Sequence, residues 1–301
     1  MSRTITVGLD GSPESRAAAE WAAREALQRG LPLKIVHVWE PVPEPLAQAP
    51  LVGPETHQDW TERIPRESAE GIRLRHPGVE VIADQLTGNP ADALCEAAGS
   101  AELLVLGSRR FGGIGGFMVG SVSLAVVAYA ERPVVLVRAG EQASDEHETA
   151  PGDVPSDATP FRPVVLGLDT SAPDGTLLEF AFDAAARRET SLRVVHGWSP
   201  PPTYLYGMSA DLEAGGSVAR HEAAVLTEVL RPWRQKFPDV QVIEASRYES
   251  AAPALVNASR DASLVVVGRR IRTSPFGAHI GHVTHAVLHH VTAPVAVVAH
   301  G

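Results

Sequence analysis

Short runs of apolar and β-branched residues alternate with longer amphipathic or alanine-rich stretches along the chain. The first run, Ile5–Leu9, reads as a buried strand. Glu14–Arg29 follows as a helix, with Ala18, Trp21, Ala22, Glu25 and Leu27 at loosely helical spacing and Gly30 as its stop. Leu33–Trp39 is a second strand. A proline-rich loop to about residue 53, a polar helix to about Arg75 and a third strand at Val79–Leu86 come next. Asn89 and Pro90 form a helix-start signal, Asn as N-cap and Pro in the first helical position. Leu103–Leu106 is a fourth, buried strand. A glycine-rich loop, a helix over Ser121–Ala130 and a last strand at Val134–Val137 complete the series. Five strands alternating with four helices predict a parallel, doubly wound α/β sheet. Its ligand site is expected at the carboxyl ends of the strands that flank the topological switch point.

The whole series then repeats. Gly8, Leu9, Asp10 and Ser12 recur as Gly167, Leu168, Asp169 and Ser171, and Ile35–Pro41 recurs as Val194–Pro200, both at an offset of 159. Later matches fall at 161: Pro77 with Pro238, Gly120 with Gly281, and Pro133–Val137 with Pro294–Val298. One two-residue insertion accounts for the change. A period this long describes tandem globular domains rather than solenoid repeats. The expected domains are 1–140 and 161–301, joined by an acidic, proline-containing linker at 141–160 that reads as solvated.

Composition narrows the function classes. The 301 residues are 44% hydrophobic and 21% charged, a mixture that supports well-cored domains. The net charge of −10 disfavours bulk attraction to nucleic acid. Six acidic residues and no Lys or Arg lie in the linker, so only −4 of that charge belongs to the two repeats. The lone Cys95 cannot form an internal disulfide, and no secretion or membrane-spanning pattern is read, so a cytoplasmic location is expected.

The sharpest chemical feature is the segment from Gly107 to Ser123, with glycines at 107, 112, 113, 115, 116 and 120 between a strand and a helix. Glycine lets an anion approach backbone N–H groups closely, and a helix beginning near Ser121 points its unpaired N–H groups and positive dipole end at the loop. Ser121 and Ser123 add hydroxyl donors. The pattern suits a polyphosphate. It is not a Walker A loop, because the two lysines, Lys34 and Lys236, lie elsewhere. The first strand-to-helix turn also lacks the dinucleotide-binding glycine spacing.

Taken together, the first strand ending in Val-Gly-Leu-Asp-Gly-Ser, a second containing His-Val, and Gly-x2-Gly-x9-Gly-Ser before the fourth helix resemble the universal stress protein family in its tandem, two-domain form. The resemblance implies two Rossmann-like domains of the flavodoxin-like or adenine nucleotide alpha hydrolase-like kind, binding an adenine nucleotide, often ATP, and pairing through their last strands. It implies that Asp10, with Gly11, and Val38 contact adenine or ribose. Gly107, Gly120, Ser121 and Ser123 would surround the phosphates, with an N–H from Val122. Arg110 stands where the second glycine of the motif is expected, and Arg109 or Arg110 could pair with phosphate. Asp10 could help hold Mg²⁺ with the phosphates. In the second repeat Asp169, Gly268, Gly281, His282 and Thr284 mark a weaker site, with Ile271 at the second motif glycine and Gly197 in place of Val38.

Other features have plainer readings. His282, His285, His289 and His290 give the last helix a polar face, and no metal site is expected. His279–His282 mimics a synthetase motif but follows the wrong strand. His37 and His196, mid-strand among apolar residues, read as hydrogen-bonded core histidines, and Cys95 as a packing residue. There is no nucleophile elbow and no carboxylate cluster for a two-metal centre, so no catalytic residue is assigned. The expectation is an ATP-binding stress-response sensor acting through a regulatory protein partner. An ATP-hydrolysing or adenylyl-transferring enzyme and a nucleotide-free interaction protein are the alternatives. The apolar last strands predict a pseudo-dimer within the chain or a homodimer.

Overall fold

The computed structural model describes residues 3–40, 57–110, 117–150, 152, 154–199, 212–271 and 280–301. They form two compact units, Met1–Gln142 with Ile271–Ile280, and Ala143–Arg270 with Gly281–Gly301.

The first unit runs β1 (Ile5–Gly8), α1 (Pro13–Arg29), β2 (Leu33–Trp39), α2 (His57–Arg75), β3 (Val81–Thr87), α3 (Pro90–Ser100) and β4 (Leu103–Arg110). It continues with β5 (Phe117–Met118), α4 (Ser121–Tyr129) and β6 (Val134–Arg138). Its parallel sheet has the order β3-β2-β1-β4-β6. The chain therefore steps outward from β1 to β3, then returns to the far side of β1 as β4. That reversal puts the switch point between β1 and β4. The two-residue β5 pairs antiparallel with the end of β4, Arg109 opposite Met118, an element too short to be read from its sequence pattern.

Burial explains why α1 holds its place. Ala18, Ala22, Ala23 and Ala26 are fully buried and Trp21 nearly so. Alanine lets the helix lie close to the sheet at no side-chain entropy cost. One position differs from the expected face. Leu27 is 57% exposed, whereas Glu25 is buried and accepts a 2.6 Å hydrogen bond from Arg29 one turn on.

The second unit repeats the design with β7 (Val164–Gly167), α5 (Gly175–Arg187), β8 (Leu192–Trp198), α6 (Leu212–Lys236), β9 (Val242–Tyr248), α7 (Ala251–Ala258), β10 (Leu264–Arg270), α8 (His282–His290) and β11 (Val295–His300). The parallel order is β11-β10-β7-β8-β9. Its core includes Phe182, Leu166, Leu192, Leu226 and Leu230.

The acidic stretch between the repeats is less solvated than its composition predicts. Ala143–Glu146 forms a 3₁₀ turn, and His147 and Phe161 form an antiparallel bridge. Glu146 is 3% exposed, with its carboxylate 3.9 Å from the buried Arg188 guanidinium. That guanidinium also lies 5.7 Å from the centroid of the Phe161 ring. Composition describes most of the segment, but one acid finds a buried cation and is drawn into the fold. No helix among the described residues is long and apolar enough to cross a membrane.

Candidate functional site

The turn after β1 is organised by short side chains. Asp10 Oδ1 accepts hydrogen bonds from the Ser12 N–H at 3.0 Å and the Ser12 hydroxyl at 2.5 Å. Ser12 Oγ in turn accepts from the Ser15 N–H and so caps α1, while the Ser15 hydroxyl donates to the Ser12 carbonyl. Gly11 makes this turn possible at φ 81°, a conformation that a side chain opposes. Burial works against the Asp10 charge, but the Ser12 hydroxyl and N–H, with smaller help from Ser15, outweigh it and hold the carboxyl below 3.8. His37 braces the same turn from β2: it is 5% exposed, and its Nδ1 lies 2.7 Å from the Leu9 carbonyl.

Beside this turn, at the carboxyl ends of β1, β2 and β4, lies a cavity of about 310 Å³. Val36, Val38, Leu94 and Leu106 supply an apolar wall, and Asp10, Ser12 and Glu14 a polar one. Gly107 and the first turn of α4, Gly120–Ser123, complete the lining. Three helices begin at this cavity, and their caps differ. Ser12 caps α1, and Asn89 caps α3 by accepting from the Ala91 and Asp92 N–H groups. The N-cap of α4 is Gly120, with no side-chain hydrogen bond to its first N–H groups. Only this helix, of the three, keeps its N-terminal donors for a ligand.

The structure thus brings Asp10, Val38, Gly107, Gly120, Ser121, Val122 and Ser123 around one space. Gly11 stands in the adjoining turn. Arg109 is on β4, but its side chain and that of Arg110, with loop residues 111–116, lie outside the described residues. Two of the residues have firm structural duties. A Cβ on Gly107 would come 2.6 Å from the Glu14 carbonyl carbon and 2.7 Å from Ser15 N, so glycine is what lets β4 abut the first turn of α1. Ser123 Oγ donates to the Gly107 carbonyl at 3.1 Å, clamping α4 to β4. Sequence reading missed Ser12, Glu14, Ser15, Pro90 and Leu94. The Ser12-Pro13 pair carries the same helix-start signal as Asn89-Pro90 and locates the first three.

A nucleotide suits this arrangement. An apolar wall can take a base, the acidic side can take sugar hydroxyls, and open helix N–H groups can take phosphate. Its volume sits at the lower end of the range for small-molecule sites.

The second unit keeps part of this pattern, including a glycine N-cap with no side-chain hydrogen bond at α8, and departs at the start of α5 and at the base wall. Asp169 repeats the bonds to its serine, Ser171 N at 3.0 Å and Oγ at 2.6 Å. Thr170 occupies the Gly11 position without a positive φ, and α5 starts later, capped by Asp174. Gly268 abuts the His300 imidazole, 2.7 Å from where a Cβ would stand, and the Leu177 side chain of α5 at 3.2 Å, rather than helix backbone. At the Val38 counterpart, a Cβ on Gly197 would meet Ala251 Cα at 2.6 Å and the Glu249 carbonyl oxygen at 2.9 Å. The main chain before α7 has moved into the position of the base wall. Thr284 donates to the Gly268 carbonyl at 2.9 Å, the counterpart of the Ser123 bond, so its hydroxyl is kept for the fold. Gly281 is the N-cap of α8, and His282 is exposed beside it.

The remaining histidines follow simple packing rules. His196 is 7% exposed, with Nδ1 3.2 Å from the Leu168 carbonyl and Nε2 3.1 Å from Glu222. The His285 and His289 rings lie with centroids 4.4 Å apart, tilted by 40°. Partial burial and the neighbouring His289 lower the pKa of His285. No group of three or more potential metal ligands occurs among the described residues.

Comparison with known proteins agrees with the fold and with its repetition. The Universal stress protein family pattern matches residues 1–138 and again 160–299. The universal stress protein Rv2005c of Mycobacterium tuberculosis is 32% identical over 309 residues, covering 97% of this chain and 96% of that one. A universal stress protein of Mycolicibacterium smegmatis is also 32% identical, covering 98% and 96%. The crystal structure of a universal stress protein from Archaeoglobus fulgidus superposes with a TM-score of 0.66 over the whole of both chains at 16% identity, a likeness of fold. With both halves matched and nearly full-length relatives above 30% identity, the chain belongs to the universal stress protein family.

Proposed function

We propose that the protein binds an adenine nucleotide, ATP, in its first unit and acts as a nucleotide-dependent regulator of the stress response. The observation that carries this reading is the contrast between helix termini at the cavity. Two are capped by their own chain, and the third, α4, offers uncapped N–H groups beside a polar and apolar cleft. The base lies against Val36, Val38 and Leu94, the ribose hydroxyls face Asp10, and the phosphates meet Gly120–Ser123. Mg²⁺, when bound with the phosphates, would supply charge neutralisation there, and Asp10 and Glu14 are the carboxylates of the described lining.

Regulation rather than turnover follows from the chemistry of the lining. Asp10 is hydrogen-bonded and ionised, a poor proton donor and a weak base, and the Ser12 hydroxyl is committed to it. ATP occupancy is then a signal, read through a protein partner or through assembly of the chain. The second unit supports the fold without a full site, because its own main chain stands at Gly197.

Mass spectrometry of nucleotide released from the purified protein, with a parallel turnover assay, tests the reading. Co-purified or readily bound ATP with negligible hydrolysis supports the regulator. Rapid hydrolysis or adenylyl transfer makes it an enzyme, and failure to bind added nucleotide removes the site.

A further inference from the structure

The described lining of the cavity holds two carboxylates, Asp10 and Glu14, and no lysine or arginine. Their situations differ. Asp10 is tied to Ser12, whereas Glu14 lines the cavity beside Gly107. Its Cβ lies 2.8 Å from where a Cβ on Gly107 would stand. The carbonyl of that same Gly107 accepts the Ser123 hydroxyl at 3.1 Å, in the first turn of α4. Glu14 and the phosphate-receiving turn therefore flank a single glycine.

From this juxtaposition we infer that Glu14 is a specificity-determining residue, one that makes the site select nucleotides by the charge of their phosphate tail, favouring the magnesium-loaded polyphosphate over the metal-free one. The inference rests on the nucleotide reading above and deepens it. Glu14 sits in the first turn of α1. Arg16, the neighbouring cation on α1, is engaged with the Gly11 carbonyl at 2.7 Å. A metal-free polyphosphate brings its full charge against this carboxylate, and the N–H groups of α4 must offset both. Magnesium removes part of that charge, and with it most of the repulsion. In a partly exposed cleft, one such charge pair is worth on the order of tenfold in affinity.

Calorimetric titration of the full chain with ATP, in excess magnesium and again in EDTA, tests this with wild type, Glu14→Gln and Glu14→Asp. Wild type should bind magnesium-loaded ATP more tightly than metal-free ATP. Glu14→Gln should narrow that ratio about tenfold, chiefly by tightening metal-free ATP, and Glu14→Asp, which keeps the charge, should retain most of the ratio. A ratio unchanged in Glu14→Gln overturns the inference while leaving the nucleotide site standing. So does a Glu14→Gln that weakens only the magnesium-loaded form, which would make Glu14 a metal ligand instead. Wild-type protein that binds neither form overturns the site and the inference together. Circular dichroism of each variant confirms that the helices are intact.

Discussion

Of the glycines that line the cavity, Gly107 and Gly120 have opposite duties that one pair of substitutions separates. In Gly107→Ala the new methyl group would stand 2.6 Å and 2.7 Å from backbone atoms of Glu14 and Ser15. Neither can rotate away, so α1 or β4 must shift. Overpacking of this kind costs about 1–3 kcal/mol, and a backbone neighbour places it in the upper half of that range. At about 2–3 kcal/mol the opening equilibrium of α1 and β4 rises roughly thirty- to a hundredfold or more. Hydrogen-exchange mass spectrometry of peptides from those elements reads that change directly. Gly120 is the contrast. Nothing lies within 4 Å of a Cβ there, and its φ of −61° and ψ of 155° suit alanine. Gly120→Ala should therefore leave exchange within about 1 kcal/mol of wild type. It should still weaken ATP binding by about tenfold or more, since the methyl stands where phosphate approaches the helix. Wild-type exchange in Gly107→Ala would refute the close contact between β4 and α1. Wild-type affinity in Gly120→Ala would refute the placement of phosphate at α4.

The other predictions concern the second unit, two titrations and the segment between the repeats. Calorimetry should find one nucleotide per chain, and two equal tight sites would contradict the closure at Gly197. Because the folded pKa of Asp10 lies below 3.8, its contribution to stability is present above that pH and is lost as pH falls through the lowered value. Acid unfolding of Asp10→Asn should lack that part of the profile, and identical profiles would exclude the effect. His285 should titrate below 6.5 by NMR, and His289→Ala should move it upward; no movement would remove His289 as a cause. Glu146→Ala removes a buried carboxylate from beside Arg188 and should lower the denaturant midpoint of the second unit, whereas an unchanged midpoint would show the pair to be incidental.

Much of this architecture was legible because the local signals agree with one another. Asn89-Pro90 and the Gly-rich stretch before Ser121 mark helix starts through chemistry confined to a few residues, and both helices begin there. Leu33–Trp39 is a strand from end to end. Where reading failed, a distant partner decided. Glu146, in an acidic stretch whose composition reads as solvated, is buried beside Arg188. The site shows the same division. Residue type pointed to the α4 turn, but the role of Glu14 depends on how closely β4 approaches α1 at Gly107. The Thr284 hydroxyl likewise looked like a retained phosphate donor, and its bond to Gly268 shows a clamp. Only the packed structure separates the two.

The central claim is an adenine-nucleotide site at the uncapped end of α4 in the first unit. Its most direct test is calorimetric titration of magnesium-loaded ATP into the full chain and into Gly120→Glu, which sets a carboxylate at the proposed phosphate position. The account predicts one site per wild-type chain and none in the variant. Undiminished binding by Gly120→Glu, or no binding by wild type, would contradict it.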